Sequence, residues 1–167
     1  TKAELSPDKI VRVVSELSQA AGSLGVVAGQ MEDLAAEGKE ITIDELQNIH
    51  RMKTGELFVY AVRAGAIFAG ASEEHIEQIT RFGILFGLLF QITDDILDVV
   101  GEEGTLGKPV GSDAKKGKAT YPSILSLDDS WKIAEQTGTE ACEYLDDLPG
   151  DTTNLFLLTA QLLSRKS

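Results

Sequence analysis

Apolar positions recur along this chain at helical spacing, and polar caps separate one run from the next. Ser6 followed by Pro7 reads as an N-cap with proline at the first helical position, which predicts a helix to about Ala21. Gly22 and Gly25 punctuate the pattern before a second helix from about Val26 to Ala36, closed at Gly38. Thr42-Ile43-Asp44-Glu45 is a capping box, and the helix it opens carries Leu46, Ile49, His50, Leu57, Tyr60, Ala64 and Ile67. Ser72 with Glu73 and Glu74 caps a long helix to about Val100. The stretch 101–118, rich in glycine and lysine and broken by Pro109, predicts a long loop. A short helix over Pro122 to Leu127 follows, then one from Asp128 or Asp129 to about Leu145. Pro149-Gly150 breaks the chain before a last helix from Thr152 or Thr153 to about Ser164. No alternating strand pattern, internal repeat or low-complexity linker interrupts this series, so the expected fold is a single all-α domain.

Composition narrows the function more than the fold. A chain of 167 residues is long enough to bury one real core. Its formal net charge of -12 argues against a nucleic-acid partner, which needs a broad basic surface. The one cysteine, Cys142, excludes an internal disulfide, fits a reducing compartment such as the cytoplasm, and reads as structural. The N-terminus carries no signal-peptide pattern. Gly83 to Thr93 is very apolar, but it is only about half of the ~20 residues a membrane span needs, so it reads as a buried helix rather than a span. Gly65, Gly70, Gly83 and Gly87 point to closely packed helices, since a mid-helix glycine costs about 1 kcal/mol of propensity.

The chemistry concentrates where that apolar run ends, at Gln91-Ile92-Thr93-Asp94-Asp95-Ile96-Leu97-Asp98. Spacing of i and i+4 puts Asp94 and Asp98 on one face of the helix. Three aspartates near a helix C-terminus oppose the macrodipole by about 0.3–1 kcal/mol each, and charges on a buried helix require a partner. A divalent cation with hard oxygen ligands supplies one. A solvated helix end and a general acid–base carboxylate pair are the competing readings. The loop that follows offers Lys108, Lys115, Lys116 and Lys118, either as a solvated basic loop or as flexible point charges for phosphate. Neither glycine-rich nucleotide fingerprint is present. Lys53 and Thr54 lie mid-helix before Gly55, where a kink would free a carbonyl for a ligand; an exposed Lys53 is the plainer alternative. Gln91 lies on the face of Asp94, and a buried amide there must be satisfied. His50 and His75 have no metal-ligand spacing and read as surface or helix-packing residues.

The combination of Gly29-Gln30-x-x-Asp33, Lys53-Thr54-Gly55, Phe90-Gln91-x-x-Asp94-Asp95-x-x-Asp98, Leu106-Gly107-Lys108 and Gly117-Lys118-x-Thr120-Tyr121-Pro122 resembles the trans-isoprenyl diphosphate synthases, nearest to the bacterial farnesyl and geranylgeranyl diphosphate synthases. The resemblance runs over almost the whole chain. It implies an all-helical fold around a central cavity, a homodimer, and head-to-tail condensation of isopentenyl diphosphate with an allylic diphosphate assisted by three magnesium ions. By the same resemblance Asp94 is a direct metal ligand, and Asp95 and Asp98 complete the motif through hydrogen bonds and bound water. Lys53 and Lys108 bind the allylic diphosphate. Lys118 is a further lysine that either binds phosphate or supports the residues that do, with Asp113 to orient it. Thr54 and Gln91 turn their oxygens toward the developing allylic cation.

The family also has a first aspartate-rich motif far upstream of the second, and nothing here matches it: Asp128-Asp129 and Asp146-Asp147 lack the third aspartate and fall on the wrong side. The chain therefore reads as the C-terminal half of a synthase, expected to be inactive alone. A non-catalytic partner subunit, a class I terpene cyclase fragment and a plain helical interaction module are the rival readings.

Overall fold

A computed structural model describes residues 6–100 and 117–165, and among them every regular element is helical. In chain order these are α1 (Pro7–Ala21), α2 (Val26–Ala36), α3 (Ile43–His50), a π-helical turn (Arg51–Gly55), α4 (Glu56–Ala69), α5 (Glu73–Val100), α6 (Tyr121–Ile124), α7 (Leu127–Glu143) and α8 (Thr153–Ser164). The caps explain the boundaries. Ser6 accepts the Lys9 N–H, and Thr42 accepts the Glu45 N–H while the Glu45 carboxylate accepts that of Thr42. Gly70 ends α4 in the left-handed region at φ 80°. The helix expected from Asp128 or Asp129 instead starts at Leu127, because the Ser126 side chain takes the Asp129 N–H and is the N-cap. That cap also stops α6 at Ile124, short of the expected Leu127.

α5 is the axis of the molecule, with α4 packed on one side and α7 on the other. Leu89, Ile92 and Ile96 are fully buried and meet Leu46, Tyr121, Ala134, Ala141 and Leu145 in one core. Each buried Leu or Ile side chain contributes about 1.5–3 kcal/mol. Phe58 meets Phe86 edge-on at 5.3 Å between ring centroids. The buried reading of Gly83 to Thr93 does not hold at every position. Ile84 is exposed and Leu85, Leu88 and Phe90 are half-buried, Phe90 packing on Phe58 of α4 at 5.1 Å between ring centroids. A smaller cluster of Val13, Ala64, Ile67 and Ile76 joins α1 to α4 and α5.

Beside that cluster, Glu16 accepts hydrogen bonds from Arg63 and Arg12. An open cleft of about 540 Å³ there is lined by these same paired charges, so its polarity is already satisfied within the protein. Among the described residues, 7–36 is the one stretch long and apolar enough to cross a membrane, and Gly22–Gly25 divides it into α1 and α2. Those helices leave Val11, Val14, Leu24, Val27 and Met31 exposed.

The glycines do not share one role. A Cβ on Gly83 would stand 2.8 Å from Val62 Cγ2 and 3.1 Å from Val59 Cα, whereas one on Gly65 would meet nothing within 4 Å. Gly83→Ala is therefore expected to lower the urea midpoint, because overpacking costs about 1–3 kcal/mol against a propensity gain of about 1. Gly65→Ala is expected to raise it by about 0.5–1 kcal/mol in stability.

Candidate functional site

The C-terminal third of α5 carries the acidic motif into the interior. Thr93 turns its hydroxyl back onto the Leu89 and Phe90 carbonyls at 2.9 and 3.0 Å, which leaves this fully buried residue satisfied within its own helix. Asp94 is half-buried, whereas Asp95 is 6% and Asp98 2% exposed. The Asp95 carboxylate accepts the Tyr121 N–H at 2.9 Å. That N–H belongs to the first residue of α6 and has no intrahelical acceptor, so Asp95 ties α5 to the segment that follows Lys118.

Lys53 arrives from the opposite side on the π-helical turn. At Gly55, where the sequence suggested a kink, the structure has a π bulge: His50, Arg51, Gly55 and Glu56 keep right-handed helical dihedrals, and α3 continues into α4 through it. Glycine permits the packing on both sides. A Cβ on Gly29 of α2 would lie 2.2 Å from the Lys53 backbone nitrogen, and one on Gly87 of α5 would lie 3.0 Å from Gly55 Cα. A side chain at either position would push the turn away.

The charges meet at Asp33. Its Oδ2 accepts from Lys53 Nζ at 2.7 Å and from Lys118 Nζ at 2.6 Å. Burial pushes the Asp33 carboxyl up, but the hydrogen bonds from Lys118 and Lys53 outweigh it and hold the group below the ordinary carboxylate range. Asp33, Lys53, Lys118, Gln91, Asp94, Asp95, His50 and Thr120 enclose a cavity of about 110 Å³. His50 stacks on Tyr121 with 6.0 Å between ring centroids. Burial drives the His50 imidazole from 6.5 down to about 4; the Asp33 charge opposes that shift, and Lys53 and Lys118 add to it.

The pocket thus gathers five of the residues singled out from the sequence: Lys53, Gln91, Asp94, Asp95 and Lys118. Thr54 sits beside Lys53 on the π turn but does not line the cavity, and Asp98 is buried one helical turn beyond it. Lys108 and Asp113 lie outside the described residues. Two contributors escaped the sequence reading. His50 is a pocket wall as well as a packing residue. Asp33 had no assigned role, because no local spacing ties it to Lys53 20 positions later or to Lys118 85 positions later. Its place in Gly29-Gln30-x-x-Asp33 was the available signal.

Among the described residues no three histidine, cysteine or acidic side chains converge closely enough to hold a metal ion by themselves. Asp94 and Asp95 still fit magnesium. That ion demands oxygen ligands and is commonly bound by one or two carboxylates, with water and substrate phosphates completing the shell.

Histidine in the unfolded chain takes up a proton near pH 6.5, but folded His50 does so only near pH 4. Between those values the unfolded state binds more protons, so stability falls as pH falls. Urea midpoints measured across this window are expected to drop for the native protein and to lose part of that slope in His50→Phe, which keeps an aromatic ring against Tyr121.

Comparison with known proteins bears on this geometry. The family model for polyprenyl synthetase matches residues 2–145. Farnesyl diphosphate synthase of Geobacillus stearothermophilus is 48% identical over 123 residues, covering 74% of this chain and 41% of that protein. Farnesyl diphosphate synthase of Escherichia coli is 40% identical over 166 residues, covering 97% of this chain and 56% of that protein. The chain thus spans about half the length of these curated relatives. Geranylgeranyl pyrophosphate synthetase from Pyrococcus horikoshii superposes with a TM-score of 0.87 at 30% identity, over 99% of this chain and 62% of that one. A geranyltransferase from Helicobacter pylori, solved with magnesium and isoprenyl diphosphate, superposes with a TM-score of 0.79 at 28% identity, over 97% of this chain and 52% of that one. With its all-α architecture and this agreement in sequence, the chain belongs to the polyprenyl synthetase family.

Proposed function

We propose that this chain carries the second-aspartate-motif half of a short-chain trans-prenyltransferase, which joins isopentenyl diphosphate to an allylic diphosphate of the farnesyl or geranylgeranyl series. The observation that carries the reading is the convergence of Lys53 and Lys118 with Asp94, Asp95 and Gln91 on one pocket. Two ammonium groups beside two hard-oxygen carboxylates match the needs of a diphosphate that arrives with its counter-ion.

In this reading Lys53 and Lys108 bind the allylic diphosphate, and Lys118 adds a further ammonium on the phosphate side or behind it. Asp113 orients Lys118. Magnesium, when bound, supplies Lewis-acid stabilisation of the diphosphate leaving group. Asp94 would hold it directly, while Asp95 and Asp98 support the motif through hydrogen bonds and water. Gln91 on α5 and Thr54 on the π turn direct oxygens toward the positive charge that develops on the allylic carbon. Fixed dipoles aimed at transient charge are effective because they need no reorganisation. The apolar residues of α5 before Gln91 shelter the hydrocarbon tail and keep water from the cation.

The relatives' extra length is where the family carries its first aspartate-rich motif and the residues that hold isopentenyl diphosphate. The 167-residue chain alone is therefore expected to bind diphosphate without turning over, and the complete polypeptide to work as a homodimer in the cytoplasm. Calorimetric titration with inorganic pyrophosphate is expected to show binding that requires magnesium and weakens about tenfold or more in Asp94→Ala and Lys53→Ala. A helical interaction module would bind no pyrophosphate under either condition. Formation of prenyl product by the purified chain would overturn the expectation of inactivity.

A further inference from the structure

Lys53 and Lys118 stand 65 positions apart in sequence, on different elements, yet they share one carboxylate oxygen. Two like charges with 30% and 21% side-chain exposure repel each other, and an unrestrained lysine gains entropy by turning to solvent. An anion between them must hold the pair.

α2 supplies that anion and the backbone contacts on either side of it. Gly29, one helical turn before Asp33, lets α2 touch the Lys53 backbone, where a Cβ would be 2.2 Å from nitrogen. Beyond the other end of α2, Gly38 donates its N–H to the Gly117 carbonyl at 3.0 Å, tethering the residue before Lys118. Gly38 and Gly117 both have positive φ, at 72° and 64°, so this contact relies on backbone that glycine adopts readily. Asp33 lies between these contacts, and its side chain is 16% exposed.

We propose that Asp33 is the positioning residue of this pocket: its carboxylate, carried on a helix fitted by Gly29 and Gly38, sets the spacing at which Lys53 and Lys118 meet a diphosphate. The inference rests on the diphosphate reading of the pocket. Asp33 acts through the lysines and need not touch the ligand. The bond to Asp33 uses one of the three N–H donors on each ammonium. Its own negative charge repels an incoming anion, so positioning and repulsion predict opposite effects when it is removed.

The test is calorimetric titration of the 167-residue chain with inorganic pyrophosphate and magnesium, using Asp33→Asn, Asp33→Glu, Lys118→Ala and the Asp33→Asn/Lys118→Ala combination, with helicity checked by circular dichroism. Asp33→Asn is expected to weaken binding about tenfold in the native background and less than about threefold in Lys118→Ala, where no pair remains to be spaced. Asp33→Glu keeps the charge but shifts the carboxylate, so it is expected to weaken binding as well, and it carries the test if Asp33→Asn fails to fold. Tighter or unchanged binding in Asp33→Asn, equal factors in the two backgrounds, or native affinity in Asp33→Glu would each overturn the proposal. No binding by the native chain would instead overturn the diphosphate reading, and the spacing role with it.

Discussion

A helix that buries itself across a protein core cannot end in carboxylates unless the fold brings counter-charge or donors to that end. α5 is under this constraint. Leu89, Ile92 and Ile96 have no solvent exposure, and Asp95 and Asp98 are nearly as deep. An unsatisfied buried charge would cost several kcal/mol. The surrounding structure answers this demand: Tyr121 gives its N–H to Asp95, and the segment that ends there also delivers Lys118. The bond that settles a buried aspartate thus helps bring a lysine to the pocket.

Close backbone approach is the second requirement, and glycine meets it at specific contacts. Gly87 faces Gly55 across the α5 side of the π turn, and Gly29 faces Lys53 across the α2 side. The turn is seated between two helices that touch its main chain directly. A π bulge strains helical hydrogen bonding and is often found at functional sites. Here it carries Lys53 and Thr54, and the clamp on both sides gives those side chains a rigid base.

These features suit the diphosphate site proposed for this pocket. Ammonium groups on a fixed frame bind with less loss of side-chain freedom than lysines on a free surface. A pocket holding positive and negative groups together suits a ligand that arrives as an anion with a divalent counter-ion better than either alone. Family membership supports prenyl transfer as the chemistry, while the chain spans only about half of its curated relatives.

Much of the helix pattern was determined by the sequence itself, because caps and apolar period act over a few residues. Ser6-Pro7 and the Thr42 capping box act within one turn, and their helices form where those signals stand, whereas Gly70, grouped in the sequence with the packing glycines, is the left-handed C-cap of α4. The acidic motif and the lysines were visible for the same reason, as residue types at short spacing. Local signals also competed locally: Ser126 took the Asp129 N–H and caps the helix in place of Asp128 or Asp129. Tertiary structure alone decided that Asp33 would join Lys53 and Lys118, and that His50 would become a buried pocket wall. Those contacts join residues that no helical period relates. They depend on how α2, α5 and the π turn pack, which is set by the whole core rather than by any stretch of chain.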